Sequence, residues 1–525
     1  MIVLLNITLI IMYMYFIYKI KHSFHMFQLE SYKNERYKTW MSKNRTQAIK
    51  FRDLLLIIPI IIIPFNILAG MITQIIIVGL LYISRDFYEE KKPLVYTSRI
   101  KRLYTTTILI YVIIAILCNL SIVISNNIVY QTLAITLINL LIIGTMYLVY
   151  VVNFINSPIE NMISRKFYKM SQKKLEEMPN LKIIGITGSY GKTSTKYALT
   201  TLLKQKYNVC MTPENFNTLS GVERAINENL KSTDQIFVCE MGAKNIGDIK
   251  EICDLVHPTY GVLTAIGPQH LETFKTIENV RKTKMELIDS LPKEGKAFIN
   301  YEDENIKATK VEKNNIKYGL NNTSDVYAYN IEMTESGATF NIHTPNGEIE
   351  DIKTKLLGEH NILNIVGAIS VCIEMGLTID EIKAGMRYIK PVPHRLELKK
   401  NPNGLLIIDD AYNSNIQGAT KAFETLKMFK NKTRILVTPG MVDFGTESEK
   451  YNTEFGKRAA NCADFVILVG KKQAEPIKKG LVEEKYPEDK IYIAENLQDA
   501  IKKWNEFDAS NSVILLENDL PDNYL

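Results

Sequence analysis

At 525 residues the chain has room for three or four domains, and its hydrophobic fraction of 46% is spread unevenly, the first third being far more apolar than the rest. The formal charge of +6 calls for no nucleic-acid partner, because the basic excess lies largely in loops of that first third, where it marks membrane topology or meets anionic headgroups. Cys118, Cys210, Cys239, Cys253, Cys372 and Cys462 are scattered without C-x-x-C spacing, mostly in apolar contexts, and read as reduced packing residues rather than disulfides or metal ligands.

Residues 2 to 18, 103 to 124 and 129 to 154 are apolar stretches nearly free of charge, each close to the ~20 residues that a bilayer-spanning helix needs. The first has no basic residue before its apolar core and no small-residue cleavage site after it, so it reads as an anchor and not a signal peptide. The stretch 54 to 83 contains Pro59 and Pro64, and only Asn66, Thr73 and Gln74 are clearly polar; its length suits neither one plain span nor two full ones. Basic loops flank it: Lys19, Lys21, Lys33, Arg36, Lys38, Lys43, Arg45, Lys50 and Arg52 before, and Arg85, Lys91, Lys92, Arg99, Lys101 and Arg102 after. With both loops on the cytoplasmic face, 54 to 83 is expected to be a helical hairpin or re-entrant pair turning near Asn66 to Gly70. The 125 to 128 loop then lies outside, everything after 155 is cytoplasmic, and membrane lipid is the expected partner of residues 1 to 155.

A basic, polar linker is expected over 156 to 180. From Leu181 the pattern becomes α/β, with strands expected at 182–187, 235–240, 259–266 and 296–300, a small antiparallel excursion over 316 to 356, and helix over 360 to 388. After Pro391 and Pro393, strands at 404–409, 433–437, 464–469 and 511–516 alternate with helices. The fold class expected is therefore an N-terminal α-helical transmembrane region, a P-loop parallel-sheet ATPase domain over 181 to 392, and a smaller Rossmann-like α/β domain over 393 to 525.

Within the first soluble domain, Ile184-Gly-Ile-Thr-Gly188-Ser189-Tyr-Gly191-Lys192-Thr193-Ser194-Thr195 reads as an apolar strand, a glycine turn and a helix start. Gly188 and Gly191 let backbone N–H groups approach an oligophosphate, with Ser189 and Ser194 in the same cradle. Lys192 supplies a cation, and the Thr193 hydroxyl suits Mg2+. The spacing departs from the full Walker pattern, since Ile186 stands where its first glycine belongs, and G-x-x-G-K-T also occurs in ordinary turns.

Further motifs follow in order: Asn215-Phe-Asn217-Thr218, Glu240-Met-Gly242-Ala243, Gly358-Glu-His360-Asn361-Ile-Leu-Asn364 and Asp409-Asp410-Ala-Tyr412-Asn413-Ser-Asn415. Taken together over residues 181 to about 470, the set resembles the Mur ligase superfamily, the ATP-dependent amide ligases of peptidoglycan precursor synthesis, and within it the branch that adds a D-alanyl-D-alanine dipeptide. The resemblance implies residue roles, each beside a plainer reading. Glu240, ending a strand, would hold Mg2+, although acidic strand ends also simply meet water. His270 would help bind a second Mg2+, or is a surface loop histidine; Ala265 stands where relatives commonly have Asn. Lys284 would be carbamylated by CO2 into an anionic metal ligand, or is a solvent-facing lysine on a charged helix.

Asn300, His360, Asn361 and Asn364 match residues around adenine and ribose, while Asn361 and Asn364 are equally competent helix caps. Arg395 matches an arginine that reaches the terminal phosphate on domain closure. Asp410 belongs with the nucleotide set. Asn215, Asn217, Thr218, Tyr412, Asn413 and Asn415 belong with the substrate, the Asp409 to Asn413 run being also explicable as an Asx turn.

The reaction implied is carboxylate plus ATP giving an acyl phosphate, then attack by an amine and loss of phosphate, with Mg2+ and the Lys284 carbamate as auxiliaries. The acceptor is expected to be a cell-envelope precursor with a free carboxylate, UDP- or lipid-linked, and the nucleophile an amino acid or dipeptide amine. Three features depart from the dipeptide-adding pattern: the membrane stretch replaces the domain that holds the UDP end, Ile416 replaces a usual proline, and the Val437 to Gly445 run is a variant. A further departure is the acidic finish with Glu517, Asp519 and Asp522, where a Lys-Gly-Ser-Arg-like one is usual. Glutamate chain extension, or a membrane protein with a regulatory or motor ATPase domain, are the alternative readings.

Overall fold

The computed structural model describes residues 2–85, 93–125, 128–214, 216–412, 416–442, 444, 447–470 and 473–519. The chain forms two compact units, one built on Met1–Arg165 and the other on Lys166–Leu520. Among the described residues the first unit is helical: α1 (Ile2–Leu29), α2 (Asn34–Lys43), α3 (Arg45–Ala48), a 3-10 turn at Phe51–Leu56, α4 (Ile57–Ile62), α5 (Ile67–Ile83), α6 (Ser98–Ser125), α7 (Ile128–Ile143) and α8 (Thr145–Glu176), which continues into the second unit; the long ones are apolar without the alternation of a strand. Val3–Leu29 and Ser98–Leu120 are long and apolar enough to cross a membrane, and α7 with α8 passes the same test as a pair bent by 92°. Ile10, Leu109, Ile113, Leu117 and Leu133 are exposed on these helices, as lipid-facing side chains are. Between α5 and α7, buried Gln74 and Asn139 exchange two hydrogen bonds of 2.9 Å.

Several expectations change in this unit. Residues 19 to 53 are mostly helix, not loop: α1 continues to Leu29, and Lys19 is buried, its Nζ 2.6 Å from Asp53 Oδ2 while Tyr15 donates to Asp53 Oδ1 at 2.6 Å. The stretch 129 to 154 is broken at Gly144, where Lys19 Nζ donates to the carbonyls of Ile142 (2.7 Å) and Ile143 (3.4 Å), acceptors that a continuous helix would use for its next turn. Within 54 to 83, Pro64 ends α4, the chain turns over 63 to 66, slightly earlier than expected, and Asn66 caps α5 by accepting from the Ala69 N–H at 3.0 Å. The expected linker is largely helical, as the second half of α8.

The second unit opens with β1 (Lys182–Thr187), α9 (Lys192–Leu203), β2 (Val209–Met211), α10 (Leu219–Glu228), β3 (Ile236–Glu240), α11 (Asp248–Val256), β4 (Tyr260–Leu263), α12 (Leu271–Phe274), α13 (Ile277–Asp289), β5 (Lys296–Asn300), α14 (Glu304–Lys307) and β6 (Asn315–Gly319). The excursion follows as β7 (Val326–Thr334), β8 (Gly337–Thr344) and β9 (Gly347–Thr354), and then α15 (Glu359–Glu374) and α16 (Ile379–Met386). One nine-stranded sheet, ordered β2-β3-β1-β4-β5-β6-β7-β8-β9, holds all of them; it is parallel as far as β7 and antiparallel beyond. Ile184, Ile186, Val238, Val262 and Phe298 pack toward α9 and α15, while Phe237, Cys239, Leu263 and Ile299 share a core with α10, α11 and α13. The single helix expected over 360 to 388 is two, because Gly376 (φ 81°) turns the chain and Thr378 starts α16 with a reciprocal Thr378–Glu381 capping box.

The second sheet carries β10 (Glu397–Lys400), β11 (Leu406–Asp410), α17 (Ile416–Lys427), β12 (Thr433–Thr438), α18 (Ser448–Ala460), β13 (Phe465–Val469), α19 (Ala474–Glu483), β14 (Ile491–Ala494), α20 (Leu497–Trp504) and β15 (Ser512–Glu517). Its order is β10-β11-β15-β12-β13-β14, parallel except at the β10 edge. The short edge strands β2, β10 and β14 were not foreseen. All six cysteines are buried thiols, none in a disulfide.

Candidate active site

The phosphate loop leaves β1 between β3 and β4, so the residues that end those three strands converge around it at the carboxyl edge of the sheet. Gly188 (φ 155°) and Gly191 (φ 82°) hold conformations closed to most side chains; a Cβ would lie 2.0 Å from Thr264 Oγ1 at the first and 2.6 Å from Asn364 Oδ1 at the second. Ser189 is buried and fixes the loop to its neighbour: its N–H donates to Ala265 O (2.8 Å), its hydroxyl to Gly267 O (2.9 Å), and the Gly267 N–H donates back at 2.9 Å. Its side chain therefore braces the cradle. Ser194 is half-buried on the first turn of α9.

Lys192 folds over the loop, donating to Gly188 O at 2.6 Å. Burial, with Arg395 nearby and Glu240 opposing, brings its pKa down to about 8. Glu240 is buried at the end of β3: its Oε1 accepts from Asn217 Nδ2 at 3.0 Å and Thr193 Oγ1 at 3.3 Å, while Lys196 Nζ lies 3.0 Å from Oε2. Burial works against this charge, yet Lys196, Lys192 and Asn217 outweigh it and hold the carboxyl below its usual range. A Cβ at Gly242 would lie 2.8 Å from the Asn217 amide, so the glycine makes room for this contact.

Lys284 is buried on α13, contrary to the solvent-facing alternative, and among the described residues no hydrogen bond or ion pair satisfies its ammonium. Burial and then Lys192 push its pKa well below that of a free lysine, against the pull of Asp248, Glu286 and Glu240. His270, in the left-handed region at φ 51°, heads α12 on the far side of the phosphate loop from β3.

The expected adenine set divides. Asn300 donates to Thr264 O at 2.7 Å and accepts from the Glu302 N–H at 2.9 Å, Asn361 donates to Leu357 O at 2.8 Å, and Asn364 accepts from Thr195 Oγ1 at 3.3 Å. These amides brace the ends of β4, β5 and α15 and the start of α9. His360 differs: its Nδ1 is buried without a hydrogen-bond partner among the described residues, and burial and then Lys421 bring its pKa down to about 4. Neutral imidazole of this kind suits a base edge.

Arg395 sits between His394 (φ 59°) and Leu396 (φ 48°), with its guanidinium 4.3 Å from the centre of the Tyr412 ring. The ends of β11 fix this turn. Asp409 Oδ2 is 2.8 Å from His394 Nδ1 and 2.6 Å from Lys399 Nζ, and Asp410 Oδ1 accepts from the Leu396 N–H at 3.1 Å. Burial raises the Asp410 pKa to about 6 against the pull of Arg395. Thr218 caps α10, accepting from the Gly221 N–H at 3.4 Å. Asn215, Asn413 and Asn415 lie outside the described residues.

Sequence reading missed Lys196, Thr264, His394 and the bracing role of Asp409. Lys196 had a signal: it lies one turn beyond Lys192 and three and seven residues before Leu199 and Leu203, on the buried face of α9.

Residues 186–372 match the family model described as Mur ligase middle domain, and residues 394–517 match that described as Mur ligase, glutamate ligase domain. The chain belongs to the Mur ligase family. Its relatives include the UDP-N-acetylmuramoyl-tripeptide--D-alanyl-D-alanine ligase of Escherichia coli, 32% identical over 55% of this chain and 65% of that protein. The ligase of the same name from Haemophilus influenzae is 33% identical over 54% and 63%. The chain thus spans just under two thirds of the length of these Mur ligases. Among solved structures, the MurF ligase of Thermotoga maritima in complex with ADP is 28% identical, covers 68% of this chain and 80% of its own, and superposes with a TM-score of 0.61.

The Mur ligase site fits a magnesium ion. Thr193 and Glu240 present oxygens beside the phosphate loop, and among the described residues no three His, Cys, Asp or Glu side chains form a cage. Such an arrangement suits Mg2+, which takes one or two carboxylates and fills its octahedron with phosphate and water.

Proposed function

We propose that this Mur ligase is a membrane-anchored, ATP-dependent amide ligase that phosphorylates the carboxylate of a peptidoglycan precursor and joins it to an amine. The observation that carries the reading is Lys284, an amine buried on α13 that has no hydrogen bond or ion pair among the described residues and whose pKa burial and then Lys192 push well below that of a free lysine. A neutral amine is the form that adds CO2, and the resulting carbamate would give the oxygen ligand that a lysine otherwise lacks. With Thr193, Glu240 and His270 it would hold Mg2+, which when bound offsets phosphate charge and stabilises the transferring phosphoryl group.

The chain's own groups do the rest. The loop N–H groups at the head of α9, with Lys192, hold the phosphates; Arg395 faces the terminal phosphate from the second α/β domain; His360 lies at the adenine end. The acceptor carboxylate attacks the γ-phosphorus as ADP leaves. The amine then attacks the acyl carbon, phosphate departs and the amine loses a proton. Asn217 and the segment around it serve the acceptor. On the amine side, the acidic finish with Glu517, Asp519 and Asp522 supports an amine carrying an additional positive group. The relatives' substrates, a muramoyl tripeptide and D-alanyl-D-alanine, are the first pair to test.

Phosphate release by the full-length protein should require both a carboxylate acceptor and an amine, with the ligated mass in the product; hydrolysis needing neither would reject the ligase reading. Neutralising Glu517, Asp519 and Asp522 should shift amine preference away from cationic amines. For the anchor, a cysteine placed at residue 94 should resist a membrane-impermeant reagent added outside cells, and labelling from outside would overturn the topology.

A further inference from the structure

Lys196 stands apart from the residues that the proposed reaction uses. It is fully buried on α9, where neighbouring positions carry Ala198, Leu199 and Leu202, and a lysine in such a place is retained only against a large desolvation cost. Among the described residues its ammonium has two oxygen partners. One is Glu240 Oε2 at 3.0 Å, the oxygen that Thr193 and Asn217 leave untouched. The other is the main-chain carbonyl of Glu214, a residue in the left-handed region at φ 38°.

The described residues around Glu214, namely 213, 214 and 216–218, form a turn in which the Phe216 N–H donates to Pro213 O at 2.9 Å. The same turn is attached to the end of β3 twice more, through Asn217 Nδ2 on Glu240 Oε1 and through the Gly242 N–H on Asn217 O at 2.7 Å. Thr212 adds a fourth contact, its Oγ1 accepting from the Glu240 N–H at 3.1 Å. Among the described residues, Lys196 is thus the one cation that touches both the carboxylate beside the phosphate loop and the backbone at Glu214. Because its ammonium is fully buried, it does not reach substrate itself.

We propose that Lys196 is a positioning residue that couples nucleotide loading to the 213–218 turn. Glu240 is held in one orientation between Lys196 on Oε2 and Thr193 with Asn217 on Oε1. When a divalent cation and nucleotide phosphates draw on Glu240, the change in its charge is transmitted through Lys196 to the Glu214 carbonyl, and the turn is set for the acceptor. This rests on the ligase reading for the role of the turn, but the linkage itself requires only nucleotide binding.

The test therefore uses binding without turnover. Hydrogen exchange at the Phe216 and Gly242 amides is followed in the full-length protein, with and without MgCl2 and a non-hydrolysable ATP analogue, and analogue affinity is titrated with and without Mg2+. In the parent, the Mg2+-loaded analogue should slow exchange at both amides by about threefold or more. In Lys196→Met, both amides should exchange faster from the start and lose that response, and Mg2+ should no longer improve analogue affinity by its parental factor. Should Lys196→Met fail to fold, Lys196→Gln keeps a polar group that can donate to Glu240 while shortening the reach to the Glu214 carbonyl, and should fold, still without the response. Lys196→Arg keeps the charge in a different shape and should keep the Mg2+ effect on affinity while losing the response at Phe216. A nucleotide response at both amides in Lys196→Met or in Lys196→Gln within about 1.5-fold of the parent's would overturn the coupling and leave Lys196 as a packing residue. Failure of the ligase reading would appear elsewhere, as phosphate release without an amine.

Discussion

Arg395 owes its direction to a strained turn, and that strain sets the size of a testable effect. His394 and Leu396 both occupy the left-handed region, which costs a non-glycine residue about 1–2 kcal/mol. Asp409 restrains His394 through a bond of 2.8 Å and is itself held by Lys399 at 2.6 Å. Burial opposes the Asp409 charge, but Lys399, the Ala411 N–H and His394 keep its carboxyl below the usual range, so the restraint is ionic at neutral pH. A bond to a charged group contributes about 1.5–3 kcal/mol. Asp409→Ala should therefore leave the turn short of its aimed conformation by about 2 kcal/mol, lowering single-turnover phosphoryl transfer about 30-fold. Nucleotide affinity should change less than about threefold, because Lys192 and the loop N–H groups are untouched. Arg395→Ala sets the floor, and adding Asp409→Ala to it should cost nothing more. Transfer within about threefold of the parent in Asp409→Ala, or losses that multiply in the double variant, would refute the argument.

Lys284→Ala should abolish most activity, and short-chain carboxylic acids should restore part of it by replacing the carbamate; full activity without rescue would remove Lys284 from the metal site. Gly191→Ala places a methyl 2.6 Å from Asn364 Oδ1 at φ 82°, so nucleotide affinity by calorimetry should fall at least about tenfold, with strain of about 1–2 kcal/mol added to the displaced Asn364 contact. Lys192, with a pKa near 8 in the free protein, should grip phosphates best below that pH. Affinity should fall by up to about tenfold per pH unit above it, and Lys192→Arg, which stays charged, should flatten the profile. The same shift has a stability consequence: between about pH 8 and 10.5 the unfolded chain binds more protons, so the unfolding free energy of the nucleotide-free protein should rise with pH in that window, as followed by urea denaturation.

The strands that build the sheets were legible because they are apolar runs closed by glycine or acidic residues: β1, β5 and β12 lie within a residue of expectation. The phosphate loop, Glu240 and Lys284 were legible through motif order. What the sequence concealed was partnership. Asn300, Asn361 and Asn364 look free in a motif, yet Asn300 and Asn364 are engaged by groups from distant elements and Asn361 by the Leu357 carbonyl just before its own helix. Lys196 reads as one more helix lysine until Glu240 is seen beside it. In the first unit, Lys19 looked like the end of an apolar stretch because its counterion, Asp53, is far away in sequence.

That lysine has a consequence for the shape of the apolar unit. Its ammonium lies across the last carbonyls of α7, at the point where α7 and α8 meet at 92°. Remove the charge, as in Lys19→Leu, and those carbonyls are returned to the amides of the following turn, so that the corner at Gly144 loses its stop and the two segments can join as one straight rod. The contact of one lysine with two carbonyls thus bears on whether α7 and α8 meet at an angle or run on as one helix.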